Sequence, residues 1–249
     1  MGYPKTLGEI VEQVHRPYYD LHLRPFDKSK LLISHFETMS DAFGLAISND
    51  LVSKKQLFLT EFHGKSNHQY QVTLSQNEKF NREGNLTFSL LVDGEILLRL
   101  AFSINKTENS NEILIGCIQS TRNDPLSRLR STTHDLYGIQ PRILLINLVR
   151  LLSNRFGFTS IEAISSQNHV FQIRRYRHKF IIHMNYDNLW TLVGGILKPN
   201  GNYLIPIEIP KKPIESYPSN KRSEHKHRNQ LMSGIEADLN QFFTSRLDS

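Results

Sequence analysis

One pattern constrains this chain more than any other. Leu86, Phe88 and Leu90 alternate with Thr87 and Ser89, Asp93-Gly94 follows, and Ile96, Leu98, Leu100 and Phe102 resume the alternation. Period-two apolar spacing on both sides of Asp-Gly predicts a β-hairpin, because that dipeptide supplies the two positive φ angles of a type I′ turn. An antiparallel sheet is therefore part of the fold. Just downstream, Glu112-Ile-Leu-Ile-Gly-Cys-Ile-Gln119 is a nearly continuous apolar run, the pattern of a strand buried on both faces.

Helical signals flank this sheet. Leu31, Leu32, His35, Phe36, Met39 and Phe43 recur at helical spacing, with Asp27 as a cap and Gly44 as a stop. Pro141 opens a second helix at a position where its missing N–H costs nothing, and Gly157 closes it. Residues 158–164 read as the next strand, 168–177 as a short basic helix, 180–184 as a strand, 188–193 as helix and 203–209 as a strand. The polar stretch 120–137 reads as a connection, and a polar, charged helix is expected over 219–243. The order predicts an α/β fold with a mixed central sheet flanked by helices and with helical elements at both ends. The expected organisation is a single domain over 1–249: a helical part at 1–65, an α/β core at 66–210, and a linker with a basic helix at 211–249. Ile115 and Ile161 should lie on adjacent parallel strands, because a strand–helix–strand crossover within one sheet favours that arrangement.

Composition narrows the function classes. With 249 residues, 39% hydrophobic and 22% charged, the chain can bury a core without a metal or disulfide staple, and its lone Cys117 allows no internal disulfide. No apolar run approaches the length of a transmembrane helix, and Glu9 and Glu12 stand where a secretory signal would place its apolar core. The expected location is the cytoplasm. A net charge of +6 favours acidic or anionic partners, namely an acidic acyl carrier protein, RNA or anionic lipid.

Strong catalytic signatures are missing: there is no Gly-x-Ser-x-Gly elbow, phosphate-binding Walker loop, His-Glu-x-x-His or dinucleotide fingerprint. Cys117, between apolar neighbours, reads as a core thiol. His225 and His227 sit among Lys226 and Arg228 and read as a solvated face, and no residue set reads as a metal site. Two basic clusters remain, at 174–179 and 221–228, and fit either phosphate contacts or locally paired helix faces.

The run strand–loop–helix–strand from Gln119 through Pro141 to Ile164, followed by Asn168, resembles the second half of GNAT acetyltransferases. That resemblance implies a donor site at the Gly138, Ile139 and Arg142 segment, with Asn168 as a polar contact and Arg175 as added positive charge. The donor it implies is acyl-CoA, acyl carrier protein or aminoacyl-tRNA. The chain departs from the pattern at Pro141, which lacks an amide, and at Asp135, which adds negative charge near the expected phosphate. A third departure is Arg175, which stands where the family has a general-acid tyrosine, with Tyr176 one residue late.

A second resemblance spans nearly the whole chain. Leu32-Ile-Ser-His-Phe36, Glu83-Gly-Asn-Leu86, Ile115-Gly-Cys-Ile-Gln119, Gly138-Ile-Gln-Pro-Arg142, Ser166-Gln-Asn-His-Val170 and Tyr186-Asp-Asn-Leu-Trp190 appear in the order of the VirK/YbjX family. That resemblance implies a Gram-negative protein tied to the cell envelope, virulence-factor presentation and resistance to antimicrobial peptides, and supplies no catalytic residues. Two functions stay open: a GNAT-like acyl- or aminoacyl-transferase, and a non-enzymatic adaptor or regulator binding nucleic acid or a partner protein through its basic clusters. A pocket with a convergent polar wall beyond the Gln119 strand end favours the enzyme, and a filled core there favours the adaptor.

Overall fold

The computed structural model describes residues 12–53, 56–76, 80–108, 110–120, 126–173, 185–209 and 213–247. Helix α1 (Pro25–Val52) leads into strands β1 (Leu57–His63), β2 (Gln69–Ser75), β3 (Leu86–Val92), β4 (Glu95–Lys106) and β5 (Asn111–Ser120). Helices α2 (Leu126–Asp135) and α3 (Pro141–Phe156) connect to β6 (Ser160–Ala163). Helix α4 (Tyr186–Leu192), β7 (Ile196–Leu197), β8 (Tyr203–Ile205) and helix α5 (Ser219–Leu247) complete the order.

All eight strands form one sheet in the order β1-β2-β3-β4-β5-β6-β8-β7, antiparallel everywhere except between β5 and β6. The hairpin turn is as expected: Asp93 and Gly94 both have positive φ, 51° and 80°. The parallel pair is also as expected, with Ile113 opposite Ile161 and Ile115 opposite Ala163. α3 starts at Pro141 and ends at Gly157 in the left-handed conformation.

Several elements differ from the sequence reading. Residues 57–63, within the stretch read as helical, form the edge strand β1. Gly44 does not end α1 but breaks its helical geometry (φ 75°, ψ 165°), and helix resumes to Val52. Asp27 is not the cap: Pro25 holds the first helical position, and Asp27 pairs with Arg24 inside the first turn. The segment read as a polar connection contains α2. Among the described residues 169–173, the chain forms a 3-10 turn at Val170–Gln172. Residues 174–184, which include Arg175, the rest of the short basic helix and the expected strand at 180–184, lie outside the described residues.

The core explains how the helices are placed. Phe43 of α1, Phe156 of α3 and Phe243 of α5 meet with ring centroids 4.9 to 5.6 Å apart, so three helices share one apolar cluster. α5 docks through Ile235, Leu239 and Phe243, an i, i+4, i+8 stripe. α1 also seals an open strand edge. β3 pairs with β4 only as far as Phe102, so among the described residues those beyond it have no strand partner on that side. His35 Nδ1 accepts from Ile104 N at 3.1 Å, and Ser34 Oγ accepts from Lys106 N at 2.8 Å. Burial lowers His35 to about 4, which keeps the ring neutral and able to accept.

Candidate functional site

β5 outruns β6. Their paired register stops at Ile115 and Ala163, closed by a bond from Ile164 N to Ile115 O at 2.9 Å, while β5 continues to Ser120. Among the described residues, the end of β5 beyond Ile115 faces side chains on this edge rather than a strand. Tyr186, at the start of α4, reaches Ile118 O with its hydroxyl at 3.4 Å and stacks between His169 and Trp190. Trp190 Nε1 donates to Ile164 O at 2.7 Å, which fixes α4 against the end of β6. Asn185 caps α4 by accepting from Asn188 N.

A carboxyl group arrives from a different part of the chain. A Cβ on Gly84 would lie 2.5 Å from Phe102 N, and one on Gly116 would lie 1.7 Å from Glu83 O. Only glycine at both positions lets residues 83 and 84 press onto the backbones of β4 and β5. Glu83 is thereby 2% exposed, with Oε1 accepting from Gln119 Nε2 at 3.5 Å and Oε2 without a hydrogen-bond partner. Burial pushes Glu83 up to about 7, outweighing the neighbouring Arg82 and the Gln119 bond. Gln119 also lies near the Tyr186 phenol and the Cys117 thiol. Burial raises the Cys117 thiol well above its usual range, which makes it a core group rather than a nucleophile. Burial also lowers His169 to about 4, and its Nδ1 accepts from Phe171 N at 3.2 Å.

Two arginines on α3 show contrasting employment. Arg150 is buried and fully engaged, donating to Pro206 O, Asn147 Oδ1 and Val193 O. Arg142, two turns earlier, is near enough to feel the Tyr186 phenol, yet its buried Nε has no hydrogen-bond partner. On the opposite side, Arg99 of β4 stands across from Gln119, and its buried Nε is likewise unpartnered. At this end of β5, Glu83 bonds Gln119, Tyr186 reaches Ile118 O, Arg99 stands opposite Gln119 on β4, and Arg142 lies near Tyr186.

The other expected donor-site residues are occupied locally. Gly138 N donates to Thr133 O and Ile139 N to Leu136 O, so neither amide is left for a phosphate. The open side of Gly138 faces α5, where a Cβ would meet Arg228 Nη2 at 2.6 Å and Glu224 Oε1 at 2.9 Å. Arg228 donates twice to Tyr137 O, and His227 stacks on the Tyr137 ring. The loop and the basic helix, which are distant in sequence, thus meet. Asp135 turns away from that loop, accepting from Ser66 N and Tyr70 Oη. Asn168 is buried, and its amide donates to Asn200 O and Asn202 Oδ1 at 2.9 Å each. Asn202 in turn bonds Asp20 and Glu162, and Glu162 pairs with Lys198. A groove of ≈ 280 Å³ between α3 and α5 is lined by other residues, including Leu151, Arg155 and Glu236.

Of the residues described around this end of β5, the sequence reading named Arg142 as a candidate and did not name Glu83, Arg99 or Tyr186. The one available signal for Glu83 was its place beside Gly84, just before a strong hairpin.

Residues 4–241 match the family described as "Protein of unknown function (DUF535)". The chain belongs to this family. It is 24% identical over 234 residues to the uncharacterized protein YbjX of Escherichia coli (strain K12), covering 93% of this chain and 71% of that protein. An uncharacterized protein of Haemophilus influenzae is 21% identical over 225 residues, covering 90% of this chain and 74% of its own. These matches agree with the VirK/YbjX landmarks: Ser34 and His35 seal β4, Gly84 and Gly116 seat Glu83, and Tyr186 and Trp190 fill the gap beyond β6. No helix among the described residues is long and apolar enough to cross a membrane.

Proposed function

We propose that the protein is a GNAT-like group-transfer enzyme that moves an acyl or aminoacyl group from a donor bearing an anionic group. The observation that carries this reading is Arg142: its buried Nε lacks a partner in the first turn of the crossover helix, beside Tyr186 and the freed end of β5. The single parallel pair at the centre of an otherwise antiparallel sheet supports the GNAT comparison. Arg142 holds the donor's oxyanion, with Arg175 as the second cation of that reading. Gly138 and Ile139 shape the loop, and Asn168 steadies the floor through residues 200–202.

Glu83 takes the proton. An acceptor's nitrogen or oxygen lone pair attacks the acyl carbon, and its proton passes to Glu83 Oε2. The donor's C–S or C–O bond then breaks with its electron pair on sulfur or oxygen, which recovers the proton from Glu83. A carboxyl held near 7 is suited to both directions of transfer.

The same reading places the protein in the cytoplasm, serving envelope remodelling or virulence-factor presentation. Its donor is acyl-CoA, acyl carrier protein or aminoacyl-tRNA, and an anionic partner approaches over the exposed Lys221 and Lys226 of α5. Mass spectrometry of small molecules retained by the purified protein tests the reading. An acyl compound with a phosphate or carboxylate should be retained by the native chain and lost from Arg142→Gln. An identical set of retained molecules in both proteins, or none in either, would retire it.

A further inference from the structure

The first turns of α5 gather positive charge that the fold holds in place without neutralising. Arg222 donates to the carbonyls of Tyr217 and Glu215, and Arg228 donates twice to the carbonyl of Tyr137. Main-chain oxygens orient these guanidinium groups and leave their charge standing. Lys226 is exposed, makes no ion pair among the described residues, and lies four residues after Arg222, a spacing at which like charges repel. The acids of residues 213–230 are Glu215 and Glu224, and Glu224 pairs with Lys221 at 3.3 Å. Burial opposes ionisation of Glu224, yet the Lys221 bond and the charges of Lys221, Lys65 and Arg228 hold it below the usual carboxylate range.

A cation from a distant part of the chain joins them. Lys65 lies in the turn between β1 and β2, where its N–H donates to Asp135 O and Ser66 N donates to Asp135 Oδ1. This clip against the end of α2 sets Lys65 Nζ 5.1 Å from the centroid of the Tyr137 ring. His227 of α5 stacks on the same ring, with centroids 5.1 Å apart and planes 7° apart. Because His227 is exposed, the stack places an imidazole plane among the cations. Large exposed hydrophobic side chains occur elsewhere, but among the described residues none falls within 64–68, 137–140 or 213–230. A membrane-docking face needs apolar side chains to insert, and a protein interface needs an apolar centre. Cations around an aromatic plane instead suit a strand in which phosphates and bases alternate.

We propose that this surface binds single-stranded nucleic acid, with phosphates along Lys65, Arg222 and Lys226 and a base stacked on His227. Single strands are the form that fits, because a base inside a duplex is not open to stacking on a side chain. The proposal deepens the anionic approach of the transfer reading, in which the strand is the RNA of an aminoacyl-tRNA donor. The binding itself requires no group transfer.

Fluorescence anisotropy with short labelled single strands, one RNA and one DNA of the same sequence, tests it. Phosphatidylglycerol–phosphatidylcholine vesicles and polyglutamate serve as the competing anions. The native protein should bind a strand, losing about twentyfold or more in affinity between about 50 and 200 mM salt, and the tighter strand identifies the sugar. Lys65→Gln and Lys226→Gln should each weaken binding about threefold or more and flatten the salt slope by about 0.7. His227→Ala should weaken it about fivefold or more at an unchanged slope. Lys30→Gln on α1 removes the same charge elsewhere and should stay within about twofold of the native protein. No strand binding at the lower salt, tighter binding of vesicles or polyglutamate, or equal losses from Lys30→Gln and Lys65→Gln would overturn the proposal. The comparison among probes uses the native chain, so a misfolded variant cannot obscure it. Strand binding without any retained acyl compound would leave this inference standing and remove the transfer reading, and the opposite pair of results would do the reverse.

Discussion

The carbonyl oxygen of Glu83 lies where the side chain of residue 116 would begin: a Cβ on Gly116 would be 1.7 Å away. The approach is backbone against backbone, so no rotamer change can relieve it. Gly116→Ala should therefore cost about 1–3 kcal/mol or more in denaturant unfolding and displace Glu83 from Gln119. A variant within about 0.5 kcal/mol of the native chain would show that residues 83 and 84 are not seated as described.

Arg150 and Arg142 give opposite expectations from one helix. Arg150→Gln leaves the buried carbonyls of Val193 and Pro206 without their donors and should cost about 2–4 kcal/mol. Arg142→Gln removes a partly desolvated charge that makes no compensating bond at Nε and should be neutral or slightly stabilising. Thermal melting of both variants checks this, and equal losses would argue that Arg142 is structural.

Acid sensitivity should trace in part to His35. Its folded pKa of about 4 lies below the ordinary 6.5, as does that of His169, so their contributions are present above 6.5 and lost as pH falls toward 4. Replacing His35 with Phe should reduce, and a second replacement at His169 further reduce, the native protein's loss of stability over that window. The His35 replacement should also cost about 1–3 kcal/mol at neutral pH, because Ile104 N loses its acceptor. An unchanged acid profile would assign the sensitivity elsewhere.

The basic turn of α5 is partly committed. Arg228 holds Tyr137, Arg222 donates to the carbonyls of Glu215 and Tyr217, and Lys221 pairs with Glu224 at 3.3 Å, so the exposed charges to test are Lys226 and the locally paired Lys221. Binding of RNA, anionic vesicles and an acidic acyl carrier should be compared at low and moderate salt. One of them should bind with steep salt dependence, and for RNA the double Lys→Gln variant should reduce the slope by about two. Binding by none of the three would make the turn a solvated face.

The strands with local signals were legible in the sequence. Asp93-Gly94 declared its hairpin, and the apolar run at 112–119 with Pro141 and Gly157 declared the parallel crossover. β1 was not legible: it is an edge strand whose partly exposed alternation resembles a helix tail. β7 has only two residues, too few for any period. The site was hardest to read, because Glu83, Gln119, Tyr186 and Arg142 come from four separate elements and converge only through tertiary packing. The pairing of Gly138 with Arg228 was equally hidden, since ninety residues separate a glycine chosen for its loop from the helix that fills its open side.

The central claim is that Glu83 is a buried carboxyl whose desolvation outweighs its hydrogen bonds and the nearby Arg82. Its folded pKa of about 7 lies above the ordinary 4.5, so its stabilising contribution is complete below 4.5 and lost as pH rises through 7. The direct measurement is the unfolding free energy of Glu83→Gln minus that of the native protein, across this range. The difference should rise in favour of the variant with increasing pH, reaching on the order of 3 kcal/mol above its low-pH value and levelling off past pH 7. A difference that stays flat from pH 4 to about 8 would mean that Glu83 titrates as an ordinary carboxylate, and would contradict the account.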